Sequence, residues 1–159
     1  MSPELVRSAE LIARVMPAGS DWWIIGSAAL ALGGIDVTPG DIDVFAASDV
    51  IETARRTLGV AARPSSSELF RSSPYFQVRP EGGLEIDFMG ALEVRSASEW
   101  IGLHIESRIS VTIGSATLFV PSLEEQVAIL RLFGRPKDLA RAALISALRN
   151  VRPAAIWPD

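Results

Sequence analysis

Cysteine is absent from the 159 residues, so neither a disulfide framework nor a thiolate metal site can be built. Histidine occurs once, as His104. A Ser-His-Asp triad would have to use it, and nothing around it suggests one, so His104 reads as a surface or strand-end residue. No apolar run approaches the ~20 residues of a membrane span. Met1-Ser2-Pro3-Glu4 has neither the basic start nor the apolar stretch of a signal peptide, and the expectation is a cytoplasmic protein without a membrane segment. No run of Lys or Arg exceeds two residues and the net charge is −4, which argues against a broad nucleic-acid-binding surface. Apolar residues, by contrast, make up 48% of the chain, on the high side of the usual range, and this hints at an apolar dimer or partner surface. The length suits one domain with a sizeable core. Without internal repeats or a linker, residues 1–159 read as a single domain, its core at about 20–120 and a helical C-terminal part at about 121–150.

The most informative stretch is residues 22–43. An apolar run, Trp22 to Ile25, ends at Gly26-Ser27, and a short helix-like run to Leu32 is stopped by Gly33-Gly34. A loop with Thr38-Pro39-Gly40 turn chemistry then leads to Asp41-Ile42-Asp43, which opens a second apolar run. On a strand, Asp41 and Asp43 point the same way while Ile42 points into the core. Two converging carboxylates suit Mg²⁺, which takes one or two carboxylates plus substrate phosphates. A glycine turn entering a helix presents free N–H groups and a positive dipole end to an anion such as a triphosphate. Asp36, in the loop, reads as solvated.

Gly26-Ser27, a spacer of about a dozen residues and Asp41-Ile42-Asp43 resemble the signature of the nucleotidyltransferase superfamily related to DNA polymerase beta. The resemblance implies an α/β (α+β) nucleotidyltransferase fold, with a mixed β-sheet flanked by helices and C-terminal helices. It also implies a third carboxylate on a neighbouring strand, and Asp87 in Leu84-Glu85-Ile86-Asp87-Phe88-Met89 is the matching position, favoured over Glu85 by its apolar flanks. Pro121-Ser122-Leu123-Glu124 and Gly134-Arg135-Pro136-Lys137-Asp138 resemble a second motif of small bacterial members, among them AbiEii-type toxins and the aminoglycoside and lincosamide nucleotidyltransferases of antibiotic resistance. Lys137 stands at a helix start, where the dipole prefers acids, and this suggests an anion or the carboxylate cluster as its partner. The resemblance covers roughly residues 20–145. One departure is Ile35-Asp36-Val37-Thr38, where many relatives carry Arg or Lys.

Along the rest of the chain, Ser2 caps and Pro3 opens a first helix with Leu5, Ala9, Ile12 and Val15 on one face. Ser48-Asp49 is expected to cap a helix that ends at Gly59, with Arg55 and Arg56 solvated. Residues 61–74 read as a Ser/Pro/Arg-rich mobile loop whose Arg63 and Arg71 could reach phosphate. Tyr75–Arg79 and Leu84–Met89 read as a hairpin, 96–107 as helical or irregular, and 108–120 as a hairpin turning at Gly114-Ser115. Ser122 and Glu125 form a capping box for a helix ending at Gly134. Pro136 opens a last helix with Leu139, Ala142, Ala143 and Leu148 as its apolar positions, and the tail 151–159 packs on the body or on a partner.

The implied chemistry has Asp41, Asp43 and Asp87 holding one or two Mg²⁺ ions, and Gly26, Ser27, Arg135 and Lys137 holding a nucleoside triphosphate. Asp87 is the base for an acceptor hydroxyl. The product is a nucleoside monophosphate (AMP, from ATP) on a small molecule, RNA or protein, with a homodimer or a partner protein completing the cleft. The alternative is a non-catalytic regulatory or toxin–antitoxin component that binds protein.

Overall fold

A computed structural model describes residues 1–151, so the expectation for the tail falls, from 152 on, outside the described residues. The Trp-Trp-Ile-Ile run forms β1 (Trp22–Ile25), antiparallel to β2 (Asp41–Ala46), which places Ile25 opposite Asp43. β3 (Arg63–Ser66) pairs with β4 (Phe70–Val78), and β4 is antiparallel to β5 (Glu85–Gly90). β5 lies parallel to β2 with Asp43 opposite Asp87. β6 (Glu93–Ser96) and β7 (Glu99–Gly102) complete a seven-stranded mixed sheet of order β1-β2-β5-β4-β6-β7, with β3 attached to β4. β8 (Ile109–Ile113) and β9 (Ala116–Val120) form a separate hairpin. Trp22 meets Phe119 of this hairpin edge-on at 5.2 Å, and the Arg108 guanidinium lies 3.5 Å from the Phe119 ring centre.

The period-two alternation of β2 and β5 sorts the sheet into an apolar face and a polar one. Ile42, Val44, Ile86 and Phe88 are fully buried under α1 (Pro3–Val15) and α3 (Ser48–Leu58), which contribute Leu5, Ala9, Ile12, Ile51 and Ala54. Phe76 and Phe88 stack in this layer at 4.5 Å. On the other face, Ile25, Phe45, Leu92 and Val94 pack against Ile129 and Phe133 of α4 (Leu123–Phe133). α2 (Gly26–Leu32), α4 and α5 (Pro136–Val151) share a third cluster built on Leu30, Leu123, Leu130, Ala142 and Ile145. The molecule is therefore three layers: α1 and α3, the sheet, then α2, α4 and α5.

Ser2 accepts a hydrogen bond from the Leu5 N–H and Pro3 is the first helical residue of α1, as read from the sequence. Five expectations are corrected. Residues 61–74 are not a loop: they hold β3 and the first half of β4, because Pro64 is tolerated on an outer strand that needs no donor there. The stretch at 96–107 is irregular, as expected, only from 103 on: up to Gly102 it carries the end of the β6–β7 hairpin, whose two turn residues Ala97 and Ser98 both have positive φ, 48° and 67°. Ser48 does not cap α3: it is the first helical residue and donates instead to the Ser73 carbonyl at 2.6 Å. The capping box is half made. Ser122 accepts from the Glu125 N–H, but the Glu125 carboxylate turns to the N–H groups of Glu106 and Ser107, and the Ser107 hydroxyl accepts from the Ser122 N–H. On α5, Leu139 and Ala143 face outward, and the buried face is Asp138, Ala142 and Ile145.

Candidate active site

Three carboxylates meet on the polar face of the sheet. Asp41 and Asp43 alternate with buried Ile42 on β2, and parallel pairing brings Asp87 of β5 beside Asp43. Ligand oxygens of Asp41, Asp43 and Asp87 all lie within 4.8 Å of one another, with Asp87 deepest and Asp41 outermost. Glu85, level with Asp41 on β5, is outside this cluster and accepts from Gln77 at 3.1 Å. Asp87 is held by two donors from β4, the Tyr75 hydroxyl at 2.8 Å and the Gln77 amide at 2.6 Å.

Burial, then the charges of Asp41 and Asp87, push the Asp43 carboxyl up to about 8, with Arg135 opposing. Asp41 is raised by burial and by Asp87 and Glu85, with Lys137 pulling the other way. Burial and the bond to Asp87 also raise the Tyr75 hydroxyl above its ordinary range, so it remains a donor. Like charges packed this closely resist full ionisation unless a cation joins them. The oxygen donor set and its mutual reach fit a hard divalent cation such as Mg²⁺.

Gly26 is the joint between β1 and α2. Its φ is +73°, and a Cβ built there would sit 2.9 Å from Asp43 Oδ2, so a side chain at this position meets both backbone strain and the carboxylate. Ile25, the residue before α2, offers no side-chain cap, which leaves the first N–H groups of the helix unclaimed beside Asp43.

Two cavities flank Asp43. The first, about 210 Å³, is lined by Gly26, Ser27, Asp41, Asp43, Lys137 and Arg141 together with apolar residues of α2 and α4. The second, about 280 Å³, lies between β3, β4 and Phe133. All seven site residues expected from the sequence line the first cavity except Asp87, which joins the cluster from below. Arg135 reaches both cavities but is occupied: Asp138, 1% exposed, takes its Nε at 2.6 Å and its Nη2 at 3.0 Å. Lys137, the chain's only lysine, and Arg141 form no hydrogen bond or ion pair among the described residues. Arg63 and Arg71, expected as phosphate contacts, are outside the first cavity. Arg63 lies over Tyr75, and Arg71 is paired with Glu93 at 2.8 Å.

Sequence reasoning missed Arg141, Tyr75 and Gln77. Arg141 follows Lys137 by one helical turn, the spacing that puts two side chains on one face. Tyr75 and Gln77 are legible once the β4–β5 hairpin is given a register, which sets Gln77 opposite Asp87.

An antiparallel-parallel mixed sheet with Gly-Ser at its first strand–helix joint and three carboxylates on two parallel strands defines a nucleotidyltransferase-type fold. No protein-family model matches the chain, and no curated protein does. Among solved structures, the crystal structure of a Thermotoga maritima protein provisionally named a nucleotidyltransferase matches it with a TM-score of 0.66 and 22% identity, over 90% of each chain. The chain therefore has the nucleotidyltransferase fold.

Proposed function

We propose that the protein is a metal-dependent nucleotidyltransferase that moves a nucleoside monophosphate, AMP from ATP in the first instance, to a hydroxyl acceptor. The observation that carries this reading is the convergence of Asp41, Asp43 and Asp87 beside the Gly26 joint and the Lys137 and Arg141 side chains of α5. Asp41, Asp43 and Asp87 would hold Mg²⁺, which supplies charge neutralisation at the phosphates when bound. Gly26 and Ser27 lend N–H groups to phosphate oxygens, Lys137 and Arg141 meet their charge from α5, and Arg135, fixed by Asp138, contributes at longer range. Asp87, oriented by Tyr75 and Gln77, takes the acceptor's proton. The acceptor oxygen bonds to the α-phosphorus, the bond to the bridging oxygen breaks, and pyrophosphate leaves. The residues act by positioning and by fixed charge.

The non-catalytic alternative keeps one specific observation. Leu139 and Leu144 on the outer side of α5 are 48% and 52% exposed, a face suited to a partner. Turnover separates the two readings. Incubation of the protein with Mg²⁺, each α-labelled nucleoside triphosphate and an acceptor panel is expected to release pyrophosphate and label one acceptor. Absence of release with every triphosphate and acceptor, in protein that binds Mg²⁺-ATP, would favour the regulatory reading. No membrane-crossing role is part of either reading: no described helix is long and apolar enough to cross a membrane.

A further inference from the structure

The second cavity has a build unlike the first. Its wall comes from β4, where Phe70 and Ser72 face it from one half of the strand and Tyr75 from the other. Strict alternation would send Tyr75 to the opposite face from Ser72. The parity changes at Ser73-Pro74, where one edge of β4 exchanges partners: Arg71 pairs with Glu93 of β6, and Tyr75 with Met89 of β5. Gly90 lets this crossing pass, since a Cβ there would lie 2.7 Å from the Ser73 carbonyl oxygen. The break thus gathers Phe70, Ser72 and Tyr75 around one space that ends at Asp43.

Ser72 is 6% exposed, yet its hydroxyl has no partner in the protein and opens onto this cavity. Ser65 of β3 stands opposite it and also lines the space. The hydroxyl is open to the cavity rather than sealed in the core, so a polar group of a bound molecule can reach it without displacing a protein hydrogen bond. The other walls are flat and apolar: Phe70 meets Phe133 edge-on at 4.9 Å, flanked by Met89 and Leu92. Charge is already balanced here. Arg71 is spanned by Glu93 at 2.8 and 3.1 Å, and Arg135 by Asp138. Asp43 is the only carboxylate among the lining residues, and the metal cluster claims it. Neither a polycation nor a free anion finds an unspent partner.

We infer that this cavity is the acceptor site, and that the acceptor presents a small uncharged group, a hydroxyl on a flat apolar body. This rests on the nucleotidyltransfer reading above. The nucleotide occupies the cationic cavity, the acceptor enters from the serine-lined one, and Asp43 lies where the two meet. Tyr75 links the acceptor side to Asp87, to which the acceptor's proton passes as its oxygen bonds to the α-phosphorus and pyrophosphate departs.

Saturation-transfer NMR on the full chain, with Mg²⁺ and α,β-methylene-ATP present, tests this using 2-phenylethanol as the uncharged probe, 4-hydroxyphenylacetate as the anion and kanamycin as the polycation. The expected result is binding of 2-phenylethanol in preference to both charged probes. That binding should weaken at least about tenfold in Ser72→Met, which fills the cavity, and in the milder Ser65→Leu on the outer strand. Mg²⁺-nucleotide affinity should stay within about twofold in either variant that folds. Nucleotide binding without probe binding, or probe binding that neither variant weakens, overturns the site and leaves the nucleotidyltransfer reading standing. Tighter binding of 4-hydroxyphenylacetate or kanamycin overturns the acceptor class. Failure of wild-type protein to bind Mg²⁺-nucleotide at all overturns the underlying reading and this inference with it.

Discussion

The two faces of β2 do opposite work. Ile42 and Val44 point into a layer closed by α1 and α3, where their neighbours are Leu5, Ile12, Ile86 and Phe88. One residue along in each case, Asp41 and Asp43 point into the open side, where burial and mutual repulsion raise their carboxyls. The first face stabilises the fold by removing apolar area from water. The second face costs stability, because a carboxyl cluster held together without a cation is strained electrostatically. The strand carries that cost where it meets the Gly26 joint, the uncapped start of α2, and Lys137 and Arg141.

Four experiments would break or sharpen this contrast. The largest effect belongs to the apolar face. Phe88→Ala removes a buried ring stacked on Phe76 and should lower unfolding free energy by about 3–5 kcal/mol in denaturant titrations. On the polar face, Asp43→Asn or Asp87→Asn should cut transfer on the order of a hundredfold to a thousandfold in a pyrophosphate-release assay while the fold survives. If either variant unfolds instead, the division of labour is wrong. Next, Gly26→Ala should weaken Mg²⁺-ATP binding by about tenfold, since its methyl group enters the space of Asp43 Oδ2, measured by calorimetry against a wild-type circular-dichroism spectrum.

The smallest effect follows from linkage. Asp43 keeps its proton in the folded chain up to a pH of about 8 but loses it near its ordinary value when unfolded. The stability it contributes is therefore fully present below about pH 4 and is lost as pH rises through about 8. Without metal, Asp43→Asn should melt about 3 °C or more above wild type at pH 8–9, and the gap should close toward pH 4. A variant that melts lower at pH 8–9 would mean that the carboxylate is stabilising there.

The same contrast governs what could be read in advance. Gly26-Ser27, Asp41-Ile42-Asp43 and the Asp87 strand were legible because each combines a turn residue or a charge with strict alternation, and alternation determines the face. What escaped notice lacked such a marker. Arg63-Pro64-Ser65-Ser66 forms β3, yet its composition is that of a turn. The β6–β7 turn uses Ala97 and Ser98 at positive φ, where glycine or asparagine would have announced it. Leucines and alanines are spread around α5, so its buried side is identified by Asp138 and Ile145 rather than by a hydrophobic stripe. The serine-lined cavity depends on a change of parity at Ser73-Pro74, and strand pairing, not residue type, creates it.

The most direct measurement is calorimetric titration of Mg²⁺-ATP into wild type and into the Asp41→Asn/Asp43→Asn double variant at pH 7, in two buffers of different ionisation enthalpy. The account requires metal-dependent binding to wild type, absent from the double variant, with proton release that disappears as pH is raised above about 8. Equal binding by wild type and the double variant, or no triphosphate binding by folded wild type, would contradict the claim that these carboxylates form a metal–nucleotide site.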